Sequence, residues 1–457
     1  MDEPRQLTAE QVQYISFEGG GGKGAAYLGA LAALAHPEIG LLVYDDETDD
    51  YHLDRRTEGA ERGVDGVAGA SAGAITAALL ASGWGIRALY RDVIADRESL
   101  AGFFDPARTD RRQVPVALPP RLSESRTERF VRSSCLVERD DSLARLDDRG
   151  RLGRAYRLLS DSLWSARRGA STLFRLVTGD EPPPLSSDPA ARQLLRNPEV
   201  HLRDLVVDYG LFAGCTARAF LDRTVSTGRF VAAAAADLGR ASPVGTDEGS
   251  PRNLTFAEHR RLTGVELVVT GTNLRTGRTA YLSARHGPAD MAVADAVRIS
   301  MGLPLVFKPV RIGSTADEAG WEPGYEGLWV DGGVLNNNPI HAFDVDGETN
   351  PNVLGLRLES DPAHEPENLL EYLWALVSTY LNAAETREIR SAAEEARSVV
   401  LPVPPGTLST LAFTPDEAAV RTAGTEAAGA VLDYFGVEAR PERVLEDVLE
   451  LAAPESG

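Results

Sequence analysis

The fold of this 457-residue chain is indicated first by Val64-Asp65-Gly66-Val67-Ala68-Gly69-Ala70-Ser71-Ala72-Gly73. The first half of this stretch predicts a buried strand, and residues 72–81 predict a helix that leaves it. Gly69 and Gly73 allow a sharp turn between the two, which would leave the Ser71 hydroxyl exposed above the sheet edge. A G-x-S-x-G turn in this setting is a nucleophile elbow, although small residues also form turns that carry no chemistry.

A second segment with the same strand–turn–helix order begins near the N-terminus. Residues 11–18 predict a strand, residues 25–34 predict an apolar helix, and a glycine-rich loop joins them. Glycines allow the main chain to approach a ligand closely, and a helix start presents N–H groups to an anion. The candidate anion-binding residues are Gly19, Gly20, Gly21, Gly22, Lys23 and Gly24.

This glycine loop also fits a dinucleotide site. Gly19, Gly21 and Gly24 match G-x-G-x-x-G, and Leu41–Asp46 resembles the second strand of that fold, ending in acids. A dinucleotide fold does not account for a serine elbow after the next strand. An oxyanion hole beside Ser71 accounts for both segments, so we favour it.

The third segment is Leu328-Trp329-Val330-Asp331-Gly332-Gly333. It predicts a strand that ends in a carboxylate followed by two glycines, Gly332 and Gly333. At hydrogen-bond distance, Asp331 could accept the proton of a serine hydroxyl.

These three segments, in this order, resemble the three signatures of patatin-like phospholipases. The similarity extends to a predicted core strand at Leu262–Asn273 and to a helix and proline turn at Ala296–Pro304. It covers about 12–101 and 206–435. The family resemblance implies a three-layer α/β/α fold with a mostly parallel central sheet.

The resemblance further implies a lipid acyl hydrolase with a serine–aspartate dyad. Ser71 takes the place of the nucleophile and Asp331 that of the base, while the glycine-loop amides take that of the oxyanion hole. Lys23 stands where the family usually has arginine, and the two cations are not interchangeable in bidentate contacts. The implied substrate is a phospholipid or lysophospholipid, with no cofactor and no metal.

Three alternatives remain open from the sequence. A Ser–His–Asp triad would need a histidine after the acid, and His341 and His364 have that chain order, but neither follows a predicted strand. The same fold could also serve as a non-catalytic lipid- or protein-binding module. An acyltransferase, in which an alcohol replaces water, is the third.

Composition limits the partners and the location. The net charge of −21 argues against nucleic-acid binding. Cys135 and Cys215, the two cysteines, argue against a disulfide scaffold and against C-x-x-C metal sites. The acidic start, Met1–Arg5, does not resemble a secretory signal, and there is no long apolar run, so we expect a cytoplasmic protein without a transmembrane segment.

The predicted organisation is a lead-in over 1–11, a catalytic domain over 12–435 and a peripheral tail over 436–457. A helical insertion at about 102–205 interrupts the domain. Residues 108–178 contain 16 arginines and 9 acidic residues, with apolar residues at helical spacing. The segment 153–178 therefore predicts either a peripheral membrane contact or a helix packed on the core.

Overall fold

The structure is a computed structural model that describes residues 6–57, 59–60, 62–95, 204–205, 208–237, 253–312, 325–359, 392–405, 407–408 and 415–450. The strands are β1 Tyr14–Phe17, β2 Leu42–Asp45, β3 Asp50–Leu53, β4 Gly66–Gly69, β5 Gly210–Phe212, β6 Glu266–Asn273, β7 Arg278–Ser283, β8 Leu305–Phe307, β9 Val310–Ile312, β10 Gly327–Asp331, β11 Val353–Leu358 and β12 Ser398–Leu401. The helices are α1 Tyr27–Leu34, α2 Ala72–Ser82, α3 Ile86–Leu89, α4 Cys215–Thr227, α5 Arg229–Asp237, α6 Phe256–Thr263, α7 Val293–Ser300, α8 Ala392–Ala396, α9 Glu417–Phe435 and α10 Pro441–Leu449. Short 3₁₀ turns lie at Ala9–Gln11, Gly21–Ala26 and Gly332–Val334, and a π-helical turn at Tyr90–Ile94.

The central sheet is mainly parallel. Strands β12, β11, β1, β4 and β6 lie side by side in that order and all run in the same direction. Strands β7 and β10 pair with β6 in the antiparallel sense, and β9 pairs with β10. This confirms the predicted mixed α/β class.

The two faces of the sheet have different neighbours because successive strand residues point to opposite sides. Ile15 and Phe17 of β1 belong to the large core that includes α1, α2, α7, α9 and α10. Tyr14, on the other face, stacks on Phe343 at 4.2 Å between ring centroids. That second face is covered by a smaller apolar cluster around Ile340 and Phe343.

The register of β6 brings β4 and β10 end to end. Strand β7 pairs with β6 from Val268 to Asn273 and so occupies one of its edges. The other edge is shared: Gly69 of β4 pairs with Val269, and Asp331 of β10 pairs with Gly271. The end of β4 therefore meets the end of β10, although the two strands are far apart in the sequence.

The structure bears on two further interpretations of the sequence. The strand at Leu41–Asp46, on which the disfavoured dinucleotide site depended, forms as β2 and pairs with β3 in a separate two-stranded sheet. A dinucleotide fold would place it in the central parallel sheet. The tail 436–457, predicted to be peripheral, contains α10, whose Leu445 is fully buried in the main core.

The described residues contain no helix long and apolar enough to cross a membrane. The insertion at 102–205, including the segment 153–178, lies outside the described residues except for 204–205. Its predicted role stays a prediction.

Candidate active site

Ser71 lies in a strained turn between β4 and α2. Its φ is 51°, a left-handed conformation that non-glycine residues adopt only where the surroundings enforce it. Its backbone N–H donates to the Ser300 hydroxyl at 2.9 Å, which ties the turn to the last residue of α7. Ser71 is the residue immediately before α2, so the positive N-terminal end of that helix lies next to the Ser71 side chain.

The glycines that flank Ser71 allow a close packing that any side chain would prevent. A Cβ at Gly73 would lie 2.3 Å from the Phe17 carbonyl oxygen, and one at Gly69 would lie 2.2 Å from the Gly73 oxygen. The first turn of α2 thus rests directly on the end of β1. This contact explains the predicted G-x-S-x-G pattern in structural terms.

Asp331 ends β10 and is 2% exposed. One carboxylate oxygen, Oδ1, accepts the Gly333 N–H at 2.8 Å, and a Cβ at Gly332 would collide with the Thr270 hydroxyl. The other oxygen, Oδ2, has no well-aligned hydrogen-bond partner in the described part of the chain. The Ser71 hydroxyl lies close enough to the carboxyl to lower its pKa.

Burial raises the pKa of Asp331 to about 7, and the hydrogen bonds from Ser71 and Gly333 lower it only in part. No charged group contributes to this pKa among the residues that the structure describes. A carboxyl with such a pKa can both accept and return a proton near neutral pH.

The glycine loop passes directly beside Ser71. A Cβ at Gly19 would lie 3.0 Å from the Ser71 Cβ, and one at Gly24 would lie 2.9 Å from the Ala72 Cβ. Gly21, with a φ of 55°, begins the 3₁₀ turn, where the first N–H groups lack partners within the helix. The loop therefore presents main-chain donors close to the serine.

Not all six predicted loop residues offer a donor. The Gly19 N–H donates to the Asn337 carbonyl oxygen at 2.9 Å, and the Lys23 N–H donates to the Gly20 carbonyl oxygen at 3.1 Å. Gly24 lies further inside the 3₁₀ turn Gly21–Ala26, where N–H groups have partners within the turn, so the candidate oxyanion donors are Gly20, Gly21 and Gly22. The Lys23 side chain is buried, and its ammonium donates to the Glu359 carbonyl oxygen at 3.3 Å. Lys23 therefore links the glycine loop to the residue that follows β11 and is not a surface charge.

A cavity of about 110 Å³ opens at Ser71 and runs between α1 and α2. Its walls are almost entirely apolar. The side of α2 that faces it carries Ala72, Ile75, Thr76 and Leu79, and α1 contributes Tyr27, Leu28 and Leu31. Because the Thr76 hydroxyl donates to the Ala72 carbonyl oxygen, this wall presents no unpaired donor.

The histidine alternative receives no support from the position of His341. Its Nδ1 lies 2.8 Å from Asp344 Oδ2 and its Nε2 lies 3.4 Å from Glu394 Oε1. His364 lies outside the described residues. Within the part of the chain that is described, no group of three or more metal-ligating side chains comes together.

Three residues near the site were not assigned a role from the sequence. Ser300 holds the elbow amide, and Asn337 and Glu18 hydrogen-bond to each other beside the glycine loop. Their only signal was indirect: each lies next to a predicted motif. Their contacts join positions hundreds of residues apart, which one sequence does not reveal.

Comparison with known families gives one extended match. A family model described as patatin-like phospholipase matches residues 15–344, which is most of the chain. The match includes the elbow, the glycine loop and the Asp331 strand.

The individual proteins that are similar to this chain share low sequence identity with it or match only part of it. The uncharacterized protein YqhO of Bacillus subtilis (strain 168) is 33% identical over 126 residues, which are 26% of this chain and 40% of YqhO. The solved structure of VipD from Legionella pneumophila aligns with 93% of this chain and 67% of its own, at 15% identity and a TM-score of 0.41. ExoU of Pseudomonas aeruginosa, solved in complex with SpcU, aligns with 98% of this chain and 54% of its own, at 20% identity and a TM-score of 0.32. The chain thus spans well under two thirds of YqhO and of ExoU.

Proposed function

Because the chain belongs to the patatin-like phospholipase family, we propose that it hydrolyses lipid esters with Ser71 as nucleophile and Asp331 as base. The observation that carries this proposal is that a strained serine, which lines an apolar cavity, lies beside a buried carboxyl. The Asp331 carboxyl also accepts the Gly333 N–H at the start of a 3₁₀ turn, but it has no counter-charge within the described residues. Strain at Ser71 and a buried acid without a counter-charge at Asp331 both reduce stability, which favours a functional explanation.

In the first half of the reaction, the Asp331 carboxylate takes the Ser71 proton while the serine oxygen attacks the ester carbonyl carbon. The carbonyl oxygen becomes an oxyanion and accepts hydrogen bonds from the amides of Gly20 to Gly22. As the tetrahedral intermediate collapses, the bond to the alcohol oxygen breaks, and that oxygen takes the proton from Asp331. The acyl group is then bound to Ser71.

In the second half, water replaces the alcohol. The water oxygen attacks the acyl carbon while Asp331 takes a proton from that water. The oxyanion again accepts hydrogen bonds from the glycine loop. Collapse releases the fatty acid and returns the proton to Ser71. A pKa of about 7 suits a group that must accept and return a proton in each half-reaction.

The cavity supports an acyl chain as the group transferred to Ser71. Its α2 wall repeats apolar residues at one-turn intervals, so a linear chain can lie along the helix. Burial of each CH₂ group contributes about 0.8 kcal/mol, which makes a fatty acyl group a suitable occupant.

The test is activity-based labelling combined with a lipid profile. The purified protein is treated with a fluorophosphonate and, separately, with mixed phospholipids. We expect labelling that disappears in Ser71→Ala, together with release of free fatty acid. A protein that neither labels nor releases fatty acid would be a binding module on the same fold, and the proposal would fail.

From the sequence alone, we also propose that residues 153–178 contact anionic lipid. Each basic residue near such a surface contributes roughly 1 kcal/mol, and salt weakens the contribution. Reversal of Arg167 and Arg168 to glutamate should weaken binding to vesicles of anionic phospholipid and spare hydrolysis of a short soluble ester. An equal loss of both activities would instead indicate a structural helix.

A further inference from the structure

The run Asn336-Asn337-Asn338 follows Asp331 closely and connects it to other parts of the sheet. Asn336 Nδ2 donates to the Tyr281 hydroxyl on β7, and the Ser16 hydroxyl on β1 donates to Asn338 Oδ1. Asn337 has a different partner. Its side chain reaches the glycine loop, where the oxyanion donors lie.

Three hydrogen bonds join Asn337 to the start of that loop. Its Nδ2 donates to Glu18 Oε1 at 2.9 Å and to the Gly19 carbonyl oxygen at 3.1 Å. Its own carbonyl oxygen accepts the Gly19 N–H at 2.9 Å. The peptide on either side of Gly19 is thus fixed by one residue of the Asp331 loop.

Glu18 completes the arrangement. It is 2% exposed, and its second oxygen, Oε2, accepts the Leu358 N–H at 2.8 Å at the end of β11. A buried carboxylate that accepts two N–H groups is held in one orientation. It can therefore serve as a fixed point for the Asn337 amide.

The Asn337 side chain also fills the space between the two loops. A Cβ at Gly19 would lie 2.4 Å from Asn337 Oδ1, and a Cβ at Gly333 would lie 2.5 Å from the same atom. Gly333 is the residue whose N–H holds Asp331, and Gly19 lies against Ser71. One amide group is therefore packed between the donors, the nucleophile and the base.

We infer that Asn337, held by Glu18, is a positioning residue that sets the distance between the oxyanion donors and the Ser71–Asp331 pair. This inference rests on the proposed function. Loss of Asn337 leaves the catalytic groups present but allows the glycine loop to shift. A displacement of about 1 Å in such a site costs on the order of 10²-fold in rate.

The direct test compares Asn337→Ala with Asn336→Ala, a neighbouring asparagine whose side chain contacts β7 instead. We expect Asn337→Ala to lower kcat on a soluble ester by on the order of 10²-fold, with little change in KM. Asn336→Ala should stay close to the wild type. Equal losses of kcat in both variants would overturn the inference. So would an increase in KM of Asn337→Ala without a change in its kcat.

A reciprocal exchange tests the pairing itself. Asn337→Asp places a carboxylate against the Glu18 carboxylate and should lower kcat more than Asn337→Ala does. In the double variant Glu18→Gln/Asn337→Asp, a glutamine amide can donate to the new carboxylate while its oxygen still accepts the Leu358 N–H. We expect the double variant to be faster than Asn337→Asp. If it is slower, the pair does not act as described. If Asn337→Asp does not fold, the alanine comparison decides.

A readout without catalysis separates this inference from the proposed function. Hydrogen exchange at the Gly19 amide, whose N–H donates to the Asn337 carbonyl oxygen, should quicken in Asn337→Ala and not in Asn336→Ala. If the wild type proves inactive on esters, the proposed function fails and this result still reports on the contact. If exchange is unchanged while the wild type is active, the inference fails alone.

Discussion

Two buried aspartates close to the same helix have different partners, and the difference shows how neighbours set the properties of a buried carboxyl. Asp295, on α7, is 1% exposed and accepts a hydrogen bond from Arg218 Nε at 2.8 Å. Asp331, at the end of β10, is 2% exposed and has only uncharged partners within the described residues. Burial raises the pKa of both, but at Asp295 the Arg218 guanidinium opposes the effect.

The difference separates a carboxylate in a buried ion-pair network from the one that we propose as the base. Arg218 also contacts Asn253, whose N–H donates to Asp222, so Asp295 belongs to a buried network that joins α4 and α7. No positive charge among the described residues offsets the cost of burying Asp331. A buried acid with a pKa of about 7 and a serine beside it can exchange protons at neutral pH.

The largest expected effect concerns activity. Ser71→Ala and Asp331→Asn should each lower kcat by about 10⁴-fold or more, and the double variant should be no slower than either single variant, because groups that act as one unit are non-additive. Esterase kinetics on a soluble substrate measure this. His341→Ala is the control and should remain close to the wild type. A comparable collapse in that control would favour a histidine-containing triad.

The next expected effect is that the same substitution, Asp to Asn, changes the free energy of unfolding in opposite directions at the two positions. Asp295→Asn removes the carboxylate that is hydrogen-bonded to the buried Arg218 and leaves only the charge of Asp222 nearby, so it should reduce the free energy of unfolding by about 3 kcal/mol. Asp331→Asn removes a buried acid and should increase it by on the order of 3 kcal/mol at pH 8. Urea unfolding at pH 8 measures both.

The second of these changes should depend on pH. In the folded state the pKa of Asp331 is about 7, whereas in the unfolded chain it is about 3.9. Between these values the folded state binds the additional proton, so this group makes the wild type less stable as pH rises from about 4 to about 7. The advantage of Asp331→Asn should be largest above pH 7 and disappear below about pH 4. Stabilisation that is independent of pH would contradict the assigned pKa.

A smaller effect concerns the cavity. Along α2, Ile75 lies about 6 Å and Leu79 about 12 Å from Ser71, at 1.5 Å per residue. Leu79→Trp should shorten the accepted acyl chain, and Ile75→Trp should shorten it further. For the chains excluded, kcat/KM should fall by on the order of 10- to 100-fold, while the shortest ester serves as the internal control. Equal losses at every chain length would show that the acyl group lies elsewhere.

The sequence predicted the parts of the site that depend on local pattern. The elbow at Ser71, the glycine loop and the Asp331 turn each combine a strand end with glycines, and such combinations are visible within a few residues. Their meeting followed only from the family resemblance. In the structure it results from the register of β6, where Gly69 and Asp331 pair with residues two positions apart.

What the sequence did not predict depends on tertiary contacts. Neither the Ser300 hydroxyl under the elbow nor the Glu18–Asn337 pair forms a local pattern. The burial of Leu445 in α10 also depends on neighbours that are distant in the sequence. In each case the residue type allowed several environments, and packing selected one.

The central claim, that Asp331 is the base for Ser71, is tested most directly by the pH dependence of fluorophosphonate labelling. The initial labelling rate of Ser71 in the wild type should rise with pH through a single step near 7, because only the ionised carboxylate accepts the proton. In Asp331→Asn the rate should be far lower and the step should be absent. A step near 7 that persists in Asp331→Asn would contradict the account, since another group would then activate the serine.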